Sequence, residues 1–148
     1  MRVNEELWSD IVGNVPVVSV DLIAVDDRSR FLLGLRESNV AQDTWFVPGG
    51  RIYKNELLRD TVDRIADEEV GLDVEVIERI GAYQHFYDES DVGASSGKHY
   101  VAIGYVVSPV GDDEPVTDDQ HSELRWFEKP PEATHPYTMK YLHDADLV

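Results

Sequence analysis

Residues 50–72, GRIYKNELLRDTVDRIADEEVGL, organise the reading of the chain around one amphipathic helix. Leu58, Val62, Ile65 and Ala66 recur at helical spacing and would put one apolar stripe against a core. Asn55 reads as the N-cap and Gly71 as the stop. The polar positions carry more information than the apolar ones. Glu68 and Glu69 sit side by side in the last turn, the end at which the helix dipole favours cations, and Arg64 stands four residues before Glu68. A hard divalent cation would make the pair acceptable, because Mg2+ is held through one or two carboxylates plus phosphate oxygens. A solvated acidic face is the plain alternative.

Working outward, Pro48-Gly49-Gly50-Arg51 ends a short strand, WFVPGG, and its glycines permit close backbone approach to a ligand. VPVVSVDLIAV (15–25) reads as a buried strand and FLLGLR (31–36) as its hairpin partner, with Asp26, Asp27 and Ser29 in the turn. Residues 74–88 read as one or two strands and 99–110 as another, separated by a loop over 88–98. A polar loop at 111–122 leads to LRWFE and then to a helix after Pro136. NEELWSDIVG reads as an N-terminal amphipathic helix through Leu7, Trp8, Ile11 and Val12. This is not an even strand–helix alternation, so an α+β fold with a mixed sheet is expected.

The chain has 148 residues, of which 42% are apolar, and a core of one domain spanning 1–148 is expected. Thirty acidic against 13 basic residues give a net charge of −17. That field disfavours nucleic acid as a partner. No apolar run approaches the roughly 20 residues of a membrane span, and the first residues lack the layout of a signal peptide, so a soluble cytoplasmic protein is expected. Without cysteine, any metal must rest on oxygen or imidazole. The dispersed acidity, with four Lys against nine Arg, is similar to that of proteins from salt-loving organisms, although ordinary solubility charge reads the same way. Phosphate binding would then need a local island of Arg.

Gly50, Glu56, Arg64, Glu68, Glu69, Gly71 and Leu72, with Ala66 as a small apolar residue, fall in register with the Nudix box, G-x5-E-x7-R-E-U-x-E-E-x-G-U. The segment resembles that box at every strict position except one: Ile65 stands where the Glu after the Arg belongs. The resemblance implies the Nudix fold, a mixed β-sheet sandwiched between helices, and hydrolysis of a nucleoside diphosphate linked to another group with Mg2+ or Mn2+. VVSVDLIAV, FLLGLR, WFVPGGRI, QHFYD, HYV, DQH and RWF extend the likeness from about Val15 to Phe127 and look like the GDP-mannose mannosyl hydrolase branch, which also lacks this Glu. That branch implies water attack at the anomeric carbon of GDP-mannose or a related GDP-hexose, releasing GDP and free sugar, by a homodimer.

Carried over by position, the resemblance implies His121 as general base, here an imidazole on a polar loop, with Gly49 (through its carbonyl), Glu69 and Gln120 as metal ligands and Glu68 as an additional carboxylate. Arg36, Arg51 and Tyr100 fit diphosphate contacts, and Asp21, His85 and Tyr87 the sugar pocket. Asp21 interrupts an apolar strand and needs a partner, either Arg51 or sugar hydroxyls. Arg64 reads as structural, orienting Glu68, and Glu56 as part of the helix start and metal surroundings. The rival activity is conventional pyrophosphohydrolysis at phosphorus. A binding-only nucleotide regulator is the third reading.

Overall fold

Helix α1 (Glu5–Asn14) is capped by Asn4, whose side chain accepts from Leu7 N. It precedes β1 (Val17–Ala24), β2 (Phe31–Arg36), β3 (Trp45–Phe46) and β4 (Gly49–Arg51). Helix α2 (Leu58–Ile65) runs into a π-helical turn (Ala66–Val70), followed by β5 (Val74–Tyr87), β6 (Lys98–Pro109), β7 (His121–Phe127) and α3 (Pro136–Asp144). This computed structural model describes residues 3–36, 43–87, 97–116 and 121–148, the side chains of 121 and 122 excepted.

The strands form two sheets, ordered β4-β1-β6-β5 and β3-β2-β7. β1 and β6 are parallel and every other pair is antiparallel, so the larger sheet is mixed, as expected. The expected hairpin of β1 and β2 is reduced to one bridge, Val25 to Phe31, after which the strands part into different sheets. Both edges of β1 are already taken by β4 and β6, so β2 finds no free edge there and pairs with β3 and β7 instead. The turn itself is held by Asp26, whose Oδ1 accepts from Arg28 N and Arg30 N. WFVPGG likewise divides, at Val47-Pro48, into β3 and β4 of separate sheets, and the Pro48 carbonyl accepts from Leu22 N at 2.8 Å.

Alternation along β1 decides which side chain meets which helix. Val20, Leu22 and Ala24 pack with Val62, Ile65, Ala66 and Val70 of α2 and its π turn. Ile23, from the opposite face, packs with Phe31, Phe46, Tyr141 and Leu142, the last two from α3. The sheet therefore lies between helices, and Asp21 shares its face with Ile23 toward α3.

Asn55 is not the cap of α2. It adopts φ 69° in a turn, and the helix starts at Leu58 without a side-chain cap. Glu56 serves that turn instead, its Oε1 accepting from Tyr53 N at 3.1 Å and Thr61 Oγ1 at 2.7 Å. Gly71 ends the helical run as expected, at φ 67°. His121 is a further correction: its backbone opens β7 opposite Arg36, where a loop was expected, because the β2–β7 ladder continues past an irregularity at Leu35 and Arg36.

Candidate active site

Asp21 is 6% exposed and accepts a 2.6 Å hydrogen bond from the Tyr141 hydroxyl. Among the described residues the hydrogen-bond partner of Asp21 is Tyr141, not an arginine. Arg51 lies on β4 opposite Ser19, two residues along β1 from Asp21 and on the same face of its alternation. Burial pushes the Asp21 carboxyl up to about 6, against the lowering effects of the Tyr141 hydrogen bond and the Arg36 charge. Gly49 pairs with Asp21 across the β1–β4 ladder, and a Cβ there would collide with Asp21 Oδ1 and lie 2.8 Å from the Val20 carbonyl.

His85 is 4% exposed, with Nδ1 3.9 Å from Asp21 Oδ2. Burial first, then the His135 and Arg36 charges, hold its imidazole down at about 4, so it is neutral at physiological pH. Its ring stacks on Tyr137 at 4.1 Å and 9°. The Tyr137 hydroxyl accepts from Phe86 N at 2.9 Å and donates to the Phe86 carbonyl at 3.0 Å. Tyr87 lies 5.7 Å from the Tyr137 ring, and burial holds its phenol protonated. Arg36 lies over Phe46, with Cζ 4.1 Å from the ring centroid, and its buried Nε has no hydrogen-bond partner among the described residues. Helix α3 thus backs Asp21 and His85, two of the residues singled out in the sequence.

The carboxylates of α2 and its π turn divide into two kinds. Glu56 is fully engaged: besides Tyr53 N and Thr61, it takes Arg64 Nε at 2.8 Å and Nη2 at 3.0 Å. The Arg64 hydrogen bond, with the donors from Tyr53 and Thr61, holds its carboxyl down at about 2. Arg64 also donates to the Arg51 carbonyl at 2.8 Å, whereas Glu68 receives only a 3.4 Å contact and is exposed. Arg64 therefore orients Glu56 and Arg51 before Glu68, which corrects the sequence expectation. Glu56 is correspondingly an anchor of the helix start. Glu69 differs from it: Oε2 is buried and has no hydrogen-bond partner among the described residues.

A second grouping lies under α1. The Arg51 guanidinium is 4.7 Å from the Tyr53 ring and 5.7 Å from the Trp8 ring. Lys98 Nζ is 5.7 Å from both Trp8 and Tyr100. Arg51 and Tyr100 flank β1 from opposite edges, opposite Ser19 and Val17. Gln120, most of the 88–98 loop and the His121 side chain lie outside the described residues.

The NUDIX domain model matches residues 15–142. The chain belongs to the Nudix family. It is 47% identical over 145 residues to the low-salt glycan biosynthesis protein Agl8 of Haloferax volcanii, covering 98% of this chain and 92% of that one. The fold matches the MutT NUDIX hydrolase from Burkholderia pseudomallei with a TM-score of 0.73 at 27% identity, over 87% of this chain and 97% of the other. The NUDIX domain of Shewanella oneidensis NrtR, complexed with ADP ribose, shares the fold at 16% identity, with a TM-score of 0.69 and 97% of both chains covered.

Nudix hydrolases use divalent metals such as Mg2+ and act on nucleotide-derived substrates. Without cysteine such an ion must rest on oxygen or imidazole in this Nudix chain, and Glu69 Oε2, buried and without a hydrogen-bond partner among the described residues, fits that need. Among the described residues no three His, Asp or Glu side chains cluster to hold a metal, so acids alone do not complete the donor set. Sequence reading missed Tyr137, Tyr141 and His135, which lie beyond the clear likeness, and also Lys98. The Tyr137 and Tyr141 spacing of four in a helix was the available signal, since it puts both on one face.

Proposed function

We propose that this Nudix protein is one catalytic domain that hydrolyses GDP-mannose, or a related GDP-hexose, at the anomeric carbon to give GDP and free sugar. The observation that carries the reading is Ile65. It occupies the box position of a metal-binding Glu, is wholly buried in the α2 core, and its side chain would meet a Cβ on Gly50 at 3.5 Å. A carboxylate is therefore replaced by an apolar anchor at the place that serves attack on phosphorus, while Glu69 remains. The likeness to Agl8, a glycan biosynthesis protein, supports a sugar-linked substrate.

In this reading Glu69, the Gly49 carbonyl and Gln120 hold the divalent ion, with Glu68 close by in sequence. The ion's chemistry is to neutralise the departing diphosphate. His121 takes a proton from water; the water oxygen bonds to the anomeric carbon on the face opposite the diphosphate, the carbon–oxygen bond to phosphate breaks, and its electron pair leaves with GDP. The configuration inverts. Arg36, Arg51 and Tyr100 donate to the diphosphate, Arg36 through an Nε that has no hydrogen-bond partner among the described residues. Asp21, His85 and Tyr87 face the hexose, and Tyr141 and Tyr137 hold the first two in position.

Incubation of the protein with GDP-mannose and Mg2+ tests this by product analysis. GDP and mannose are expected, and His121→Leu should cut kcat at least 100-fold while GDP binding stays within a few-fold. GMP with mannose 1-phosphate would instead establish attack at phosphorus.

A further inference from the structure

We infer that His135 is a further substrate-binding residue, donating a hydrogen bond from its Nε2 to a hydroxyl of the hexose; this rests on the GDP-hexose reading above. Pro136 explains why the histidine is held still. A residue before proline is confined to extended backbone, which is the N-cap conformation, and proline itself suits the first helical position. His135 accordingly caps α3 at φ −62° and ψ 142°, its Nδ1 accepting from Tyr137 N at 3.1 Å. Its backbone N–H donates to the Trp45 carbonyl at 3.0 Å, so the residue is tied to β3 as well as to α3.

The cap decides what the other ring nitrogen can do. A neutral imidazole carries one proton, and since Nδ1 accepts, that proton is on Nε2. Burial first, then the Arg36 charge, lowers the imidazole from its ordinary 6.5 and keeps this neutral form at physiological pH. Among the described residues Nε2–H has no hydrogen-bond partner. Its neighbours are residues that face or support the hexose in this reading. The ring lies 5.0 Å from Phe46, the ring beneath Arg36, 4.9 Å from Tyr137, which stacks on His85, and 6.0 Å from Tyr87. A phosphate would be bound best by an imidazolium, but the second proton would have to go on Nδ1 and displace the Tyr137 N–H. A neutral donor among aromatic faces suits a hydroxyl instead, and Asp21, bonded to Tyr141 of the same helix, supplies the acceptor that hydroxyls also need.

Two substitutions separate the cap from the contact, because Asn can put its side-chain oxygen where Nδ1 sits and Gln its amide nitrogen where Nε2 sits. The readouts on the full-length protein and each variant are KM for GDP-mannose with Mg2+, GDP Kd by calorimetry, and Tm. His135→Asn keeps a good cap and loses the donor. Its Tm should stay within about 2 °C of wild type, its KM should rise about fivefold or more, and its GDP Kd should stay within about twofold. His135→Gln should recover most of the KM while Tm falls by about 2–8 °C. An unchanged KM in His135→Asn, or a KM that follows Tm across the two variants, would overturn the contact. A GDP Kd weakened as much as KM would also overturn it, by assigning the imidazole to the diphosphate. The two readings fail separately. Products of attack at phosphorus with an Asn-sensitive KM would sink the carbon-attack reading alone, and carbon attack with an unchanged KM would sink the contact alone.

Discussion

Glu56, in the turn before α2, and Glu69, in the π turn that ends the helical run, belong to one 23-residue box, yet they are treated oppositely. Glu56 takes donors from Tyr53, Thr61 and Arg64 until its capacity is used. Glu69 buries an oxygen with no partner among the described residues. A carboxylate saturated by its own chain stabilises the fold, whereas one desolvated and unpaired is held ready for something outside the chain. The same contrast separates Arg64, locked to Glu56 and the Arg51 carbonyl, from Arg36, whose buried Nε has no hydrogen-bond partner among the described residues.

The contrast breaks most visibly at Glu69. Glu69→Gln should lower turnover at least 100-fold and weaken Mg2+ binding by calorimetry, without lowering Tm; removing the ion with a chelator should abolish turnover of the wild type. A Tm loss matching that of a Glu56 variant would make the two carboxylates alike and erase the distinction.

Tyr141→Phe comes next, because it removes the donor that holds Asp21. Leaving that buried carboxyl unbonded should cost about 1–3 kcal/mol of stability by urea denaturation. It should also raise KM for the nucleotide sugar more than it lowers GDP affinity. Equal effects on both would show that Asp21 serves the fold and not the sugar.

Much of this was legible in the sequence, for physical reasons that differ by element. The apolar spacing of Leu58, Val62, Ile65 and Ala66 and the stop at Gly71 are local signals, and they located the helix that carries Glu69. The partition of β1 and β2 into two sheets was not legible, because it depends on β4 and β6 occupying both edges of β1. Asp21 advertised that it needed a partner but not which one: Tyr141 lies 120 residues away and is brought in by α3. Arg64 was misread for a related reason. Its i+4 neighbour Glu68 is an acid within reach along the helix, but the folded turn at Tyr53–Glu56 presents a better one.

Glu56→Gln sharpens the comparison from the structural side. It should cost about 1–3 kcal/mol while turnover falls less than about tenfold. The sign of the pH effect follows from the depressed carboxyl. With an ordinary value of 4.5 lowered to about 2, Glu56 contributes stability that is present above pH 4.5 and lost as pH falls toward 2. Wild type should lose stability across that window faster than Glu56→Gln, and parallel acid transitions would contradict the assignment.

The smallest effect is expected from salt. With a net charge of −17, screening of self-repulsion should raise Tm by several degrees between low and molar KCl, equally in wild type and Glu56→Gln. A Tm flat in salt would count against a salt-adapted surface.

The most direct measurement of the central claim is hydrolysis of GDP-mannose in oxygen-18 water with Mg2+, with both products analysed by mass spectrometry. Label in free mannose, with GDP unlabelled, is the predicted result. Label in GMP or in mannose 1-phosphate would contradict it and assign the attack to phosphorus.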